Sequence, residues 1–153
     1  MDKRFTAKVS VLIQAPSSAI WEALTSPDMI SKYLHGTKVE SKWKEGSTLI
    51  FRGEWKGKSY VDKGIIKKME KGKLFRYTWF SSFSGLPDLP ENYSMVSYEL
   101  SPKQNSTRLT VTQDNIPSEE SKQGSEKNWS AVLQTLKNLV EQKSDNAQFS
   151  EKI

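Results

Sequence analysis

"KNWSAVLQTLKNLVE", Lys127 to Glu141, decides how the rest of the chain must fold. Trp129, Val132, Leu133, Leu136, Leu139 and Val140 fall within about 120° of a helical wheel, a stripe broad enough to face a core. Lys137 falls on the opposite, polar face. The helix is expected to start after Pro117, with Ser118 as N-cap and Glu119 and Glu120 in the first turn, where negative charge suits the helix dipole. Gly124 is where a kink is expected. A helix of this kind needs an apolar surface to cover, and nearly everything ahead of it reads as short strands and turns.

"AKVSVLIQAP" alternates, with Val9, Val11 and Ile13 on one face and Lys8, Ser10 and Gln14 on the other, the pattern of a half-buried strand. "PSSAIWEALTSPDMISKYL" reads as two short helices. The first starts near Ser17 and buries Ile20, Trp21 and Leu24; Pro27 separates them, and Ser26 caps the second. From Thr37 to Gln113 the turn signals "KEGS", "KGKS", "EKGK" and "PKQNS" recur, with a longer break at "SGLPDLPEN". Between them, parity puts Leu49, Phe51 and Trp55, then Phe75, Tyr77 and Trp79, on the inner face. Val96, Tyr98 and Leu100, and Leu109, Val111 and Gln113, complete it. The outer face carries Arg52, Glu54, Lys63, Lys67, Arg76 and Arg108. The expected fold is α+β, an antiparallel sheet with one wet face and one long helix on the other.

Length and composition bound the function. The 153 residues fit a single domain, expected over 1–143, with the aperiodic stretch 144–153 as a flexible tail. Five Trp, five Tyr and six Phe supply core volume to an otherwise polar chain. With no cysteine there is no disulfide and no thiolate, and with His35 as the single histidine no ordinary zinc site or Cys–His dyad can form. No metal and no cofactor are expected. The apolar run near the start is too short to span a bilayer, so the expectation is a cytoplasmic monomer without membrane insertion.

Residues 1–76 hold 16 Lys and Arg against 8 acids, whereas 77–153 hold 7 against 10. That asymmetry reads either as a surface for phosphates, anionic lipid or an acidic partner, or as a solvated sheet face. Nucleic acid is disfavoured because the aromatic residues of the basic half point away from the lysines. Among the carboxylates only Asp62 shares inward parity, with Tyr60 and Ile66; it reads as polar pocket chemistry or as a residue turned out by a bulge.

Four stretches carry a family resemblance: "APSSAIWEALTSPDMISKYL", "KGIIKKMEKGKLFRYTW", "SMVSYELSPKQNSTRLTVTQ" and "NWSAVLQTLKNLVE". In order and spacing the chain resembles the START-like (SRPBCC) superfamily, in its branch of activators of heat-shock-protein-90 ATPase (Aha-type), from about Phe5 to Gln142. It departs from the residues usual in relatives at Tyr33, Gln113 and Asn128. The resemblance implies a helix-grip fold of the birch-pollen-allergen kind, with about seven strands curved around the C-terminal helix and two short helices after the first strand. It also implies a gap between sheet and helix, toward one end.

Phe51, Trp55, Tyr60, Tyr77, Trp79 and Tyr98, facing Trp129 and Leu133, would form either a packed core or the wall of that gap. Tyr33 and His35 in "MISKYLHG" and the loop "FSSFSGLPDLPENY" would rim it, with His35 as a ligand contact or a surface histidine. The leading expectation is non-enzymatic binding of a small apolar or amphipathic molecule such as a lipid, fatty acid or aromatic polyketide. A second is a co-chaperone-like domain of the stress response, meeting an acidic heat-shock-protein chaperone through Arg52, Lys63, Lys67 and Arg76. A third is a cyclase- or hydrolase-like enzyme built on Asp62.

Overall fold

The computed structural model describes the backbone of residues 4–151 and the side chains of residues 4–142. The first alternating stretch forms β1 (Phe5–Ile13), and the two short helices are α1 (Ser17–Thr25) and α2 (Pro27–Tyr33). Pro27 opens α2, and the Ser26 hydroxyl accepts from the Met29 amide at 3.5 Å. Strands β2 (Lys38–Ser41), β3 (Thr48–Trp55), β4 (Lys58–Glu70), β5 (Leu74–Trp79), β6 (Ser94–Lys103) and β7 (Ser106–Ile116) follow, then α3 (Glu119–Glu151). All neighbouring strands are antiparallel, in the order β1-β7-β6-β5-β4-β3-β2. This is the antiparallel sheet and long helix that the periodicities call for, with the seven curved strands that the family resemblance implies. The expected flexible tail, 144–153, falls outside the described side chains.

α3 begins where the capping pattern puts it, the Ser118 hydroxyl accepting from the Ser121 amide at 3.1 Å. Its buried stripe is Trp129, Val132, Leu133, Leu136 and Val140, with Leu139 half-buried. The stripe packs on the inner residues of the sheet, among them Tyr98, Leu100, Leu109 and Val111. Lys137 is not on a free polar face. Its ammonium donates to the Leu12 carbonyl at 2.9 Å and pairs with Glu141 one turn on, while Glu141 accepts from the Gln14 amide at 2.8 Å. The cause lies in β1, the edge strand of the sheet, which pairs with β7 on one side only and presents backbone groups on the other that helical side chains satisfy. A lysine stem reaches them from beside the apolar stripe.

Two glycines shape the sheet around the future site. A Cβ on Gly64 would sit 1.5 Å from the Thr78 carbonyl oxygen, so β4 crosses β5 closer than any side chain allows. The ladder is broken there: regular pairing runs from Ile66↔Tyr77 to Glu70↔Leu74, with a bulge between Ile66 and Lys68 and one isolated bridge, Lys63 to Phe80, beyond. The Ile65 amide donates instead to the Thr78 hydroxyl at 2.9 Å. Gly53 lies opposite Tyr60, whose phenol occupies the place of the missing side chain; a Cβ would be 2.4 Å from its hydroxyl.

Candidate functional site: a cavity between sheet and helix

Above this broken seam the sheet and α3 do not close. A cavity of about 330 Å³ remains, walled by Phe51, Tyr77, Trp79, Val96 and Trp129. Its mouth is edged by Leu34, His35, Thr37, Trp55, Tyr60 and Phe83, with Gln113 and Asn128 on the helix side. Local structure sets each rim residue. His35 and Gly36 take φ of 54° and 79° after α2, and this left-handed pair closes the helix as the Gly36 amide bonds the Ser31 carbonyl at 2.8 Å. The His35 ring stands edge-on to Trp55, 5.6 Å between centroids. Trp55 is held at the strand end by the tight Lys56-Gly57 turn, with φ of 50° and 80°. Although its parity is inward, it is 48% exposed because the wall ends there.

Polar groups are few and mostly committed. The Tyr60 and Thr37 hydroxyls share a short hydrogen bond, and the Tyr60 ring meets Phe83 edge-on at 5.7 Å. The Trp129 indole donates to Gln113 Oε1 at 2.9 Å, as does the Ser125 hydroxyl at 3.1 Å, and the Gln113 amide nitrogen has no acceptor among the described residues. Asp62 lines the cavity at 9% exposure, so its inward parity holds and the bulge lies elsewhere. Burial pushes its carboxyl up, against the Ser82 amide and hydroxyl that donate to Oδ1 at 2.9 and 3.3 Å and a lesser pull from the Trp79 side chain. Deeper in, burial pushes the Tyr33, Tyr77 and Tyr98 phenols up, and they remain neutral.

Of the residues expected on the wall, Tyr33, Tyr98 and Leu133 stand behind it. The Tyr33 hydroxyl donates to the Ala23 carbonyl at 3.0 Å and ties α2 to α1. Tyr98 is stacked on Phe75 and edge-on to Trp129, and Leu133 is sealed in the core. His35, Phe51, Trp55, Tyr60, Tyr77, Trp79 and Trp129 do line the cavity. Val96 and Gln113 also line it and were on the inward lists, and Phe83 comes from the loop "FSSFSGLPDLPENY" expected at the rim, although no period singles it out within that loop. The four outer-face cations stay on the far side of the sheet. Arg52 pairs with Glu40 at 3.3 Å, Lys63 pairs with Asp88, the Arg76 guanidinium donates to the Ser97 hydroxyl at 2.8 Å, and Lys67 is exposed.

A family model, Activator of Hsp90 ATPase homolog 1-like protein, matches residues 14–141, from the end of β1 to the Glu141 clamp. The chain belongs to this family. This family member is similar to the solution structure of ChR145 from Cytophaga hutchinsonii, at 41% identity over 95% of this chain and 99% of that one, with a TM-score of 0.82. It shares its fold with the Aha1 dimer from Colwellia psychrerythraea, at 20% identity over 90% and 96% of the two chains and a TM-score of 0.70. It also shares it with Ara h 8.0201, at 11% identity over 90% and 98% and a TM-score of 0.73. No curated protein matches the chain. Gln113 and Asn128 lie at the cavity of this family member. No helix among the described residues is long and apolar enough to cross a membrane, and no group of three or more potential metal ligands occurs among them.

Proposed function

We propose that the domain binds a small, compact, largely apolar molecule in the cavity between its sheet and α3, as a carrier or sensor without catalysis. The observation that carries this reading is an aromatic-walled space of about 330 Å³ that stays open in a fold otherwise packed tightly enough to bury Leu109, Leu133 and Leu136 almost completely. That volume is at the low end for ligand pockets, so it suits a molecule of one to three rings better than a long acyl chain. The test is an amide and indole NMR titration with a panel of small aromatic and alicyclic compounds. Shifts should concentrate at Trp79, Trp129 and Gln113. A panel that moves none of these signals would remove the reading.

A second reading, a surface role toward a heat-shock-protein chaperone, is favoured by the family to which the chain belongs. Its proposed contacts are Arg52, Lys63, Lys67 and Arg76, of which Lys67 is the least engaged within the fold. Salt-sensitive binding to such a chaperone, weakened by Lys67→Glu, would support it; its absence at low salt would end it.

A further inference from the structure

The chemistry of the wall points to a class of ligand. Among the described residues Asp62 is the only carboxylate on the cavity lining, and no lysine or arginine lines it. Both Ser82 bonds end on Oδ1, and beyond them the carboxylate takes only a weaker hydrogen bond from the Trp79 side chain among the described residues. Holding the loop at Ser82 does not need a charge, since an amide oxygen would accept the same two bonds. A buried ionised carboxylate is costly without a counter-charge, and the upward push on this one marks that shortage. Of the cations near the mouth, Lys56 stands over the Trp55 ring, 5.9 Å from its centroid, and not against Asp62. The rest of the wall is Val96 and the aromatic side chains Phe51, Tyr77, Trp79 and Trp129, a residue type whose ring face attracts a cation and which tolerates an apolar body.

Resting on the small-molecule reading above, we propose that the cavity selects a cationic ligand, an ammonium on a compact aromatic or alicyclic body, with Asp62 Oδ2 accepting from the ammonium. Asp62 is then the specificity-determining residue, and Ser82 is a positioning residue that holds the carboxylate by its other oxygen. The same geometry rejects carboxylic acids of equal size, fatty acids included, because their charge would meet that of Asp62 at short range.

The test uses three probes with one ring system: 2-naphthylmethylammonium, 2-naphthylmethanol and 2-naphthoate, titrated at neutral pH with chemical shifts of the Trp79 and Trp129 indoles as the readout. The ammonium should bind roughly tenfold or more tighter than the carboxylate, with the alcohol between them, as expected for one charge-assisted hydrogen bond. Asp62→Asn, which keeps the shape and an acceptor for Ser82, should shrink that spread to within about threefold. Ser82→Ala keeps the carboxylate and should keep the order of preference. If the carboxylate binds as tightly as the ammonium, or the preference survives Asp62→Asn, the cationic selection is wrong while the cavity reading stands. If none of the three moves the indole signals, both are wrong. Should Asp62→Asn fail to fold, the ranking in the native protein and in Ser82→Ala decides alone.

Discussion

At the scale of single residues, the least expected behaviour belongs to Lys137. Helical periodicity sets it opposite the apolar stripe, yet its ammonium closes a clamp with the Leu12 carbonyl and Glu141. Lys137→Ala should therefore cost about 1–2 kcal/mol in urea melts, since it strips a half-buried carbonyl and carboxylate of their shared donor. An exposed helical lysine would cost nothing measurable, and a change within 0.3 kcal/mol or so would show that the clamp adds no net stability. Glu141 gives the same clamp a pH signature. Partial burial pushes its carboxyl up, but the Gln14 amide and the Lys137 ammonium outweigh this and hold it below the ordinary value. The folded state thus releases this proton more readily than the unfolded chain. Its stabilisation is fully present above the unfolded value, near 4.5, and is lost as pH falls through the lower folded one. Melts of Glu141→Gln and the native protein should differ at neutral pH and converge in acid. A constant gap would deny the linkage.

At the scale of elements, two glycines make opposite forecasts. Gly64→Ala drives a methyl into the Thr78 carbonyl, which is backbone and cannot swing aside, so it should cost about 3 kcal/mol or more, or prevent folding. Gly124→Ala, on an exposed face of α3 with nothing within 4 Å of the new carbon, should stabilise by about 0.5–1 kcal/mol. Thermal melts of the pair would separate a glycine the sheet needs from one the helix merely tolerates. Leu136, fully buried in the middle of the helix stripe, should cost about 2–5 kcal/mol when cut to alanine. Trp129→Ala removes cavity wall as well as core, so it should weaken small-molecule binding more than Leu136→Ala does at equal loss of stability. Equal loss of affinity at both positions would deny α3 a directed role.

At the scale of the whole molecule, the fold was legible because its two periods are clean. A helical stripe from Trp129 to Val140 and four inward strand sets call for an antiparallel sheet with a helical cover, and the family resemblance adds the number and curvature of the strands. The site was legible only in part. Parity says which way Phe51, Tyr77, Trp79 and Gln113 point, but not how far α3 stands from them, so wall and core look alike in sequence; Tyr98 and Leu133 lie on the core side of that boundary. The loop holding Phe83 was expected at the rim, but without a period no residue in it stands out, and the Lys137 clamp depends on β1 being the edge strand. The same arrangement sets the order in which the molecule can assemble. β1 pairs with β7, and its free amides and carbonyls at Lys8, Leu12 and Gln14 are met by Glu126, Lys137 and Glu141. During synthesis β1 therefore finds neither its ladder partner nor its cover until the chain has been made through Glu141. Contacts so remote in sequence close slowly, and the nascent domain must carry its aromatic face uncovered until α3 emerges.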